Sequence, residues 1–73
     1  MKNIEFTLRD GEEYIQLIQL LKVANCVSTG GEAQEVVVEG LVKHNGEVDF
    51  RKRAKCLPGD VIEYEQYRIT VTQ

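Results

Sequence analysis

The sequence predicts an α+β fold, two helices packed against a small sheet, on three observations. Residues 3 to 8 alternate polar and apolar side chains, as a half-buried strand does. From Glu12 the apolar spacing lengthens to that of a helix, and Thr29 opens a second helix with its own start signal. After Gly40 the chain breaks into short apolar runs separated by turn dipeptides, the pattern of several strands. With 73 residues the chain reads as one domain, residues 1–73, around one small core.

Each element has its local reason. Ile4, Phe6 and Leu8 form the inner face of the first strand, and Arg9-Asp10-Gly11 ends it. Tyr14, Leu17, Ile18 and Leu21 then fall at i, i+3, i+4 and i+7, one face of a helix that Ile15 and Leu20 widen. The acidic pair Glu12-Glu13 suits the positive end of such a helix. Thr29-Gly30-Gly31-Glu32 has capping-box spacing, and Gly40 is placed to end the second helix in the left-handed conformation. Three consecutive valines at 36–38 favour a strand over 35–38, but the two end signals outweigh them and predict helix. Asn45-Gly46 is a tight turn between Leu41-Val42 and Val48, and Pro58-Gly59-Asp60 is a second turn. Val61 to Gln66 and Tyr67 to Thr72 read as two more strands; in the last, Tyr67, Ile69 and Val71 share one face.

Composition removes several classes of function. At 42% hydrophobic and 29% charged the chain is ordinary for a globular domain. No apolar run approaches the ~20 residues of a membrane span, and no signal-peptide core follows Met1, so a cytoplasmic protein without membrane attachment is expected. Cys26 and Cys56 form no CxxC pair, and His44 is the lone histidine, too few ligands for a Cys/His zinc site. Buried free thiols are the expected state, with a disulfide or a redox role as the alternatives. No hydrolase elbow, zincin motif or phosphate loop is present, so no enzyme, no catalytic residue, no metal and no cofactor are expected.

Charge is acidic overall and basic locally. Nine Lys and Arg against twelve Asp and Glu give −3. From Lys43 to Lys55, however, Lys43, Arg51, Lys52, Arg53 and Lys55 oppose only Glu47 and Asp49, a local net of +3. The other sixty residues hold four basic and ten acidic side chains, a net of −6. Screening beyond about 8 Å means that a partner meets the patch rather than the sum.

Thr29-Gly30-Gly31-Glu32-Ala33, Glu39-Gly40, Val42-Lys43-His44-Asn45-Gly46-Glu47, Arg51-Lys52-Arg53-Ala54-Lys55 and Gly59-Asp60-Val61-Ile62 occur in one order. The set, over roughly residues 12 to 72, resembles the RNA-binding domain named after small-subunit ribosomal protein four, the alpha-L motif. It is most similar to the small stand-alone bacterial members. The resemblance implies two packed helices against a short, twisted, mainly antiparallel sheet. It also implies structured RNA, ribosomal or precursor, lying over the second helix and the following hairpin, in ribosome assembly or translation. Carried onto this sequence, the RNA-binding residues are Lys43, Asn45, Arg51, Lys52, Arg53 and Lys55, with Gly30 and Gly31 opening the second helix. Gly30 and Gly31 stand where many members have Ser-Arg, and His44 stands where a small aliphatic residue is usual.

The residue types suit that partner on physical grounds. Lys and Arg meet phosphates, and amides at a glycine-opened helix start are open to an anion. With two Phe, three Tyr and no Trp, recognition by shape and phosphate spacing is favoured over the reading of a single strand. Phe50 beside Arg51 offers a stacking ring, although one aromatic next to a charge reads more readily as core. DNA is disfavoured, because Glu32, Glu35 and Glu39 on the second helix would repel duplex phosphates. The rival from another class is a protein-interaction module that docks a basic ribosomal or RNA-processing protein on the acidic remainder.

Overall fold

The computed structural model describes residues 1–73. Strand β1 (Lys2–Thr7) leads into a turn, a two-residue strand β2 (Ile15–Gln16) and helix α1 (Leu17–Val23). Helix α2 (Gly30–Val38) follows, then β3 (Val42–His44), β4 (Glu47–Val48), β5 (Lys55–Cys56), β6 (Val61–Tyr64) and β7 (Tyr67–Thr72). Five strands form one sheet in the order β1-β7-β6-β3-β4, and β2 pairs with β5 separately. The large sheet is antiparallel except where β1 runs parallel to β7, Ile4 opposite Ile69 and Phe6 opposite Val71. The fold is therefore α+β, with a mainly antiparallel sheet.

Helix α2 is set by its ends. The Thr29 hydroxyl accepts from the Glu32 amide at 3.1 Å, and the Glu32 carboxylate reaches back to the Ser28 amide at 2.7 Å. The reciprocal arm of the capping box thus lands one residue earlier than its usual partner. Gly40, at φ +77°, closes the helix: its amide bonds to the Val37 carbonyl, and the Leu41 amide bonds to the Val36 carbonyl. That is the paired bonding of a Schellman ending. Helix α1 ends the same way with Asn25 at φ +60°, a stop signal absent from the sequence reading. Ala33, Val36 and Val37 are buried while Val38 faces out, so the valines pack as one helical face.

The start of α1 differs from the sequence expectation. Its helix begins at Leu17 rather than near Glu12, because Ile15 and Gln16 are extended and pair with Cys56 and Lys55. Glu12 instead accepts from the Arg9 amide at 2.8 Å in the preceding turn, and Tyr14 lies outside the helix, exposed. The pairing supplies bonds that the extra helical turn would otherwise have made. Of the predicted face, Leu17 and Leu21, with Leu20 that widens it, are fully buried with Ile62, Ile69 and Val71, while Ile18 is partly buried. Burial of such a face, not the short helix itself, is what holds α1 in place. Strand β6 stops at Tyr64 rather than Gln66, since Glu65 and Gln66 form the turn to β7.

Candidate nucleic-acid interface

The basic run is a turn that leads into β5 at Lys55. The Ala54 amide bonds to the Arg51 carbonyl at 3.2 Å, which puts Lys52 and Arg53 at the apex. The backbone of this turn sits on the start of α1: the Leu17 amide donates to Ala54 at 2.9 Å and the Ile18 amide to Lys52 at 3.2 Å. First-turn amides have no intrahelical partner, so the turn satisfies two of them while Ala54 is buried beneath it. The side chains of Lys52 and Arg53 are left outside, exposed and without an ion pair.

The other predicted residues divide by how free they are. Lys43 on β3 is exposed and unpaired. Lys55 lies with its Nζ 5.0 Å from the Tyr14 ring centre, a cation–π contact that leaves the ammonium at the surface. Arg51 is pinned: its Nε and Nη2 donate to the two oxygens of Asp49 at 3.0 and 2.9 Å. Asn45, at φ +54° beside Gly46 at +86°, makes the tight hairpin turn. Its amide side chain is a clasp, accepting from the Val61 amide at 2.8 Å and donating to Asp60 at 3.1 Å. Gly30 and Gly31 open α2 in unobstructed space, with no atom within 4 Å of an added Cβ at Gly30. A helix rise of ~1.5 Å per residue separates them by roughly 15 Å from Gly40, where α2 meets the ring of Phe50. The glycine pair and the residues beside Phe50 are thus at opposite ends of α2.

Beneath the cations lies a network that sequence reasoning missed. The His44 ring lies between two carboxylates, its Nδ1 3.0 Å from Asp49 Oδ2 and its Nε2 2.8 Å from Asp60 Oδ2. Asp60 also accepts from the Leu57 amide, and Asp49, the one buried charged residue, also accepts from the Arg51 amide. Two carboxylates and one imidazole thereby tie the β3–β4 hairpin, the Pro58-Gly59 turn and the first residue of the cationic turn together. The side chains of Arg51 and His44 hold the Asp49 carboxyl well below its usual range, against the opposing effect of burial. Burial raises the Asp60 carboxyl too, but bonds from Leu57, His44 and Asn45 outweigh it and the net shift is downward. The available signal was only that His44 and Asp49 stand close to the Asn45-Gly46 turn; the link to Asp60 spans sixteen positions.

Phe50 corrects another expectation. It is 62% exposed rather than part of the core, seated against Gly40 beside Val48. Neither cysteine is in a disulfide; Cys56 is buried, and burial, with Asp60 and Asp49 nearby, pushes its thiol up to about 12.

Comparison with known proteins returns one family. Residues 6–72 match the family model described as S4 domain. The chain is 31% identical over 58 residues to the Escherichia coli (strain K12) protein named "Putative RNA-binding protein YbcJ", covering 80% of this chain and 83% of that protein. It is 40% identical over 55 residues to the Bacillus subtilis (strain 168) protein named "Probable ribosome maturation protein RlbA", covering 75% and 78%. The solution structure of E. coli YbcJ, described as revealing an alfaL motif involved in RNA-binding, superposes with a TM-score of 0.75 at 27% identity. That superposition covers 100% of this chain and 91% of YbcJ.

Proposed function

We propose, from the premise that the chain belongs to the S4 domain family, that residues 1–73 form a non-catalytic domain that binds structured RNA. Its ligand is ribosomal or precursor RNA, and its place is in ribosome assembly or translation in the cytoplasm. The observation that carries the reading is the Arg51–Ala54 turn, whose backbone is committed to α1 while Lys52 and Arg53 project unpaired from it. The held backbone spares the turn its own ordering cost at binding and leaves only the side chains to be ordered. Lys43 adds a third free charge, and Arg51 and Lys55 contribute from their contacts with Asp49 and Tyr14. Asn45 acts by fixing the hairpin, and the Gly30 and Gly31 amides offer a second phosphate contact a helix length away. The names of the E. coli and B. subtilis relatives support the same class of ligand and process.

The test is a titration of wild type, Lys52→Ala, Arg53→Ala and Asn45→Ala against ribosomal RNA fragments at three salt concentrations. Three to five neutralised phosphates predict a slope of log affinity on log salt of about −2 to −4. Removing Lys52 or Arg53 should lower affinity for different RNAs by similar factors and make the slope shallower by about 1. Asn45→Ala should weaken binding with little change in slope. Equal affinities across all four proteins, or a slope near zero, overturn the assignment and move attention to a basic protein docked on the acidic surface.

A further inference from the structure

Phe50 is the most exposed of the five aromatic residues, yet it is not loose. A Cβ placed on Gly40 would lie 2.8 Å from Cε1 of its ring and 3.2 Å from Cζ. The ring therefore rests against a glycine backbone that tolerates no side chain, with Val48 beside it, and turns the rest of its surface to solvent. Leaving an apolar ring in water is unfavourable, and the chain gains no core packing from this placement. On the C-terminal side follow Arg51, Lys52 and Arg53; on the N-terminal side stands Asp49, whose charge is already met by Arg51 and His44.

We infer that Phe50 is the stacking platform for one unpaired nucleobase of the bound RNA, next to phosphates held by the cationic turn. This rests on the RNA-binding reading above. A nucleobase is flat, carries a π-face, and is always joined to phosphates, so it matches a lone ring bordered by cations. A base inside a duplex has both faces covered, so the ligand must contribute an unpaired position beside a structured segment. An apolar protein partner fits less well. Val48 is the exposed apolar side chain that meets the same glycine, and the two make a small patch, where a stable protein interface uses about 20–30 residues a side. Because the ring is held before binding, stacking orders little that is not already ordered.

The experiment uses two RNAs of equal phosphate number, a blunt duplex and a stem with one unpaired position occupied by a fluorescent purine analogue. Wild type, Phe50→Ala and Phe50→Tyr are titrated against both, with circular dichroism as a check that each variant is folded. The expected result is that Phe50→Ala weakens the RNA with the unpaired position by about 5- to 150-fold, leaves duplex affinity within about two-fold and keeps the salt slope. Phe50→Tyr should keep the affinity and the fluorescence change that Phe50→Ala loses. If wild type binds with a steep salt slope but Phe50→Ala binds equally well, stacking is overturned and the cationic reading stands. If both RNAs lose affinity alike in Phe50→Ala, the ring has only a supporting role and the inference fails. Binding of neither RNA by wild type overturns both readings together.

Discussion

Replacing His44 with Ala would test the clasp under the cationic turn most directly. The substitution removes two hydrogen bonds, to Asp49 at 3.0 Å and to Asp60 at 2.8 Å, from a side chain that is 10% exposed. Leaving a buried carboxylate without one of its hydrogen-bond partners costs about 1–3 kcal/mol, and more for a charged group, because water does not replace the lost bond. Here the cost is reduced, since Asp49 keeps Arg51 and Asp60 keeps Leu57 and Asn45. Asp60 is also partly open to water. A loss of about 3 kcal/mol is therefore expected, from two charge-assisted bonds worth about 1.5–3 each less this residual pairing. Against a total of about 4–11 kcal/mol for a domain of this length, that is a large fraction. It corresponds to a fall in Tm of about 12–24 °C. Urea and thermal unfolding followed by far-ultraviolet circular dichroism measure it. A double-mutant cycle with Asp60→Ala separates the pair from general cavity effects and should give a coupling above about 1 kcal/mol. A loss below about 0.5 kcal/mol, the range of ordinary surface substitutions, would refute the reasoning. Additive single effects in the cycle would show that the imidazole merely fills space.

Three further outcomes follow from the same structure. Thr29→Ala removes the hydroxyl that caps α2 and should cost about 1 kcal/mol in a denaturant titration; an unchanged midpoint would place the helix start elsewhere. Quantitative labelling without reductant should find two free thiols, with Cys56 slower than Cys26 because it is fully buried and its thiolate is disfavoured; a disulfide, or Cys56 reacting first, contradicts this. The carboxyls of Asp49 and Asp60 titrate lower in the folded than in the unfolded chain, so the stability they supply is complete above their unfolded value of 3.8. It is lost as pH falls through the folded values, because the unfolded state then binds more protons. Unfolding free energy should thus fall as pH drops below that value, and Asp49→Asn should flatten the fall; an unchanged profile in the variant would remove Asp49 as its source.

The parts of this protein legible in the sequence are those decided within a few residues. Thr29 with Glu32 and Gly40 after the valines act through bonds to near neighbours, Asn45-Gly46 acts through its own positive φ angles, and all three stand where local chemistry placed them. The concentration of Lys43, Arg51, Lys52, Arg53 and Lys55 is likewise visible without a fold, since charge along the chain needs no partner to be counted. Tertiary structure decided the rest. Glu12 to Gln16 carry a helical pattern, yet Ile15 and Gln16 are extended because Lys55 and Cys56, some forty positions later, offer them a ladder. Periodicity records which side chains are buried but not what the backbone amides find. Parallel pairing of β1 with β7 joins the two ends of the chain, where the strand pattern alone is silent about neighbour and direction. The His44 clasp needed Asp60 to arrive from another turn, and Phe50 is outside the core because Gly40 closes a helix beneath it. Composition and spacing identify the charges and the caps; only the folded chain determines which cations touch Asp49 and Tyr14, and which stand without a partner.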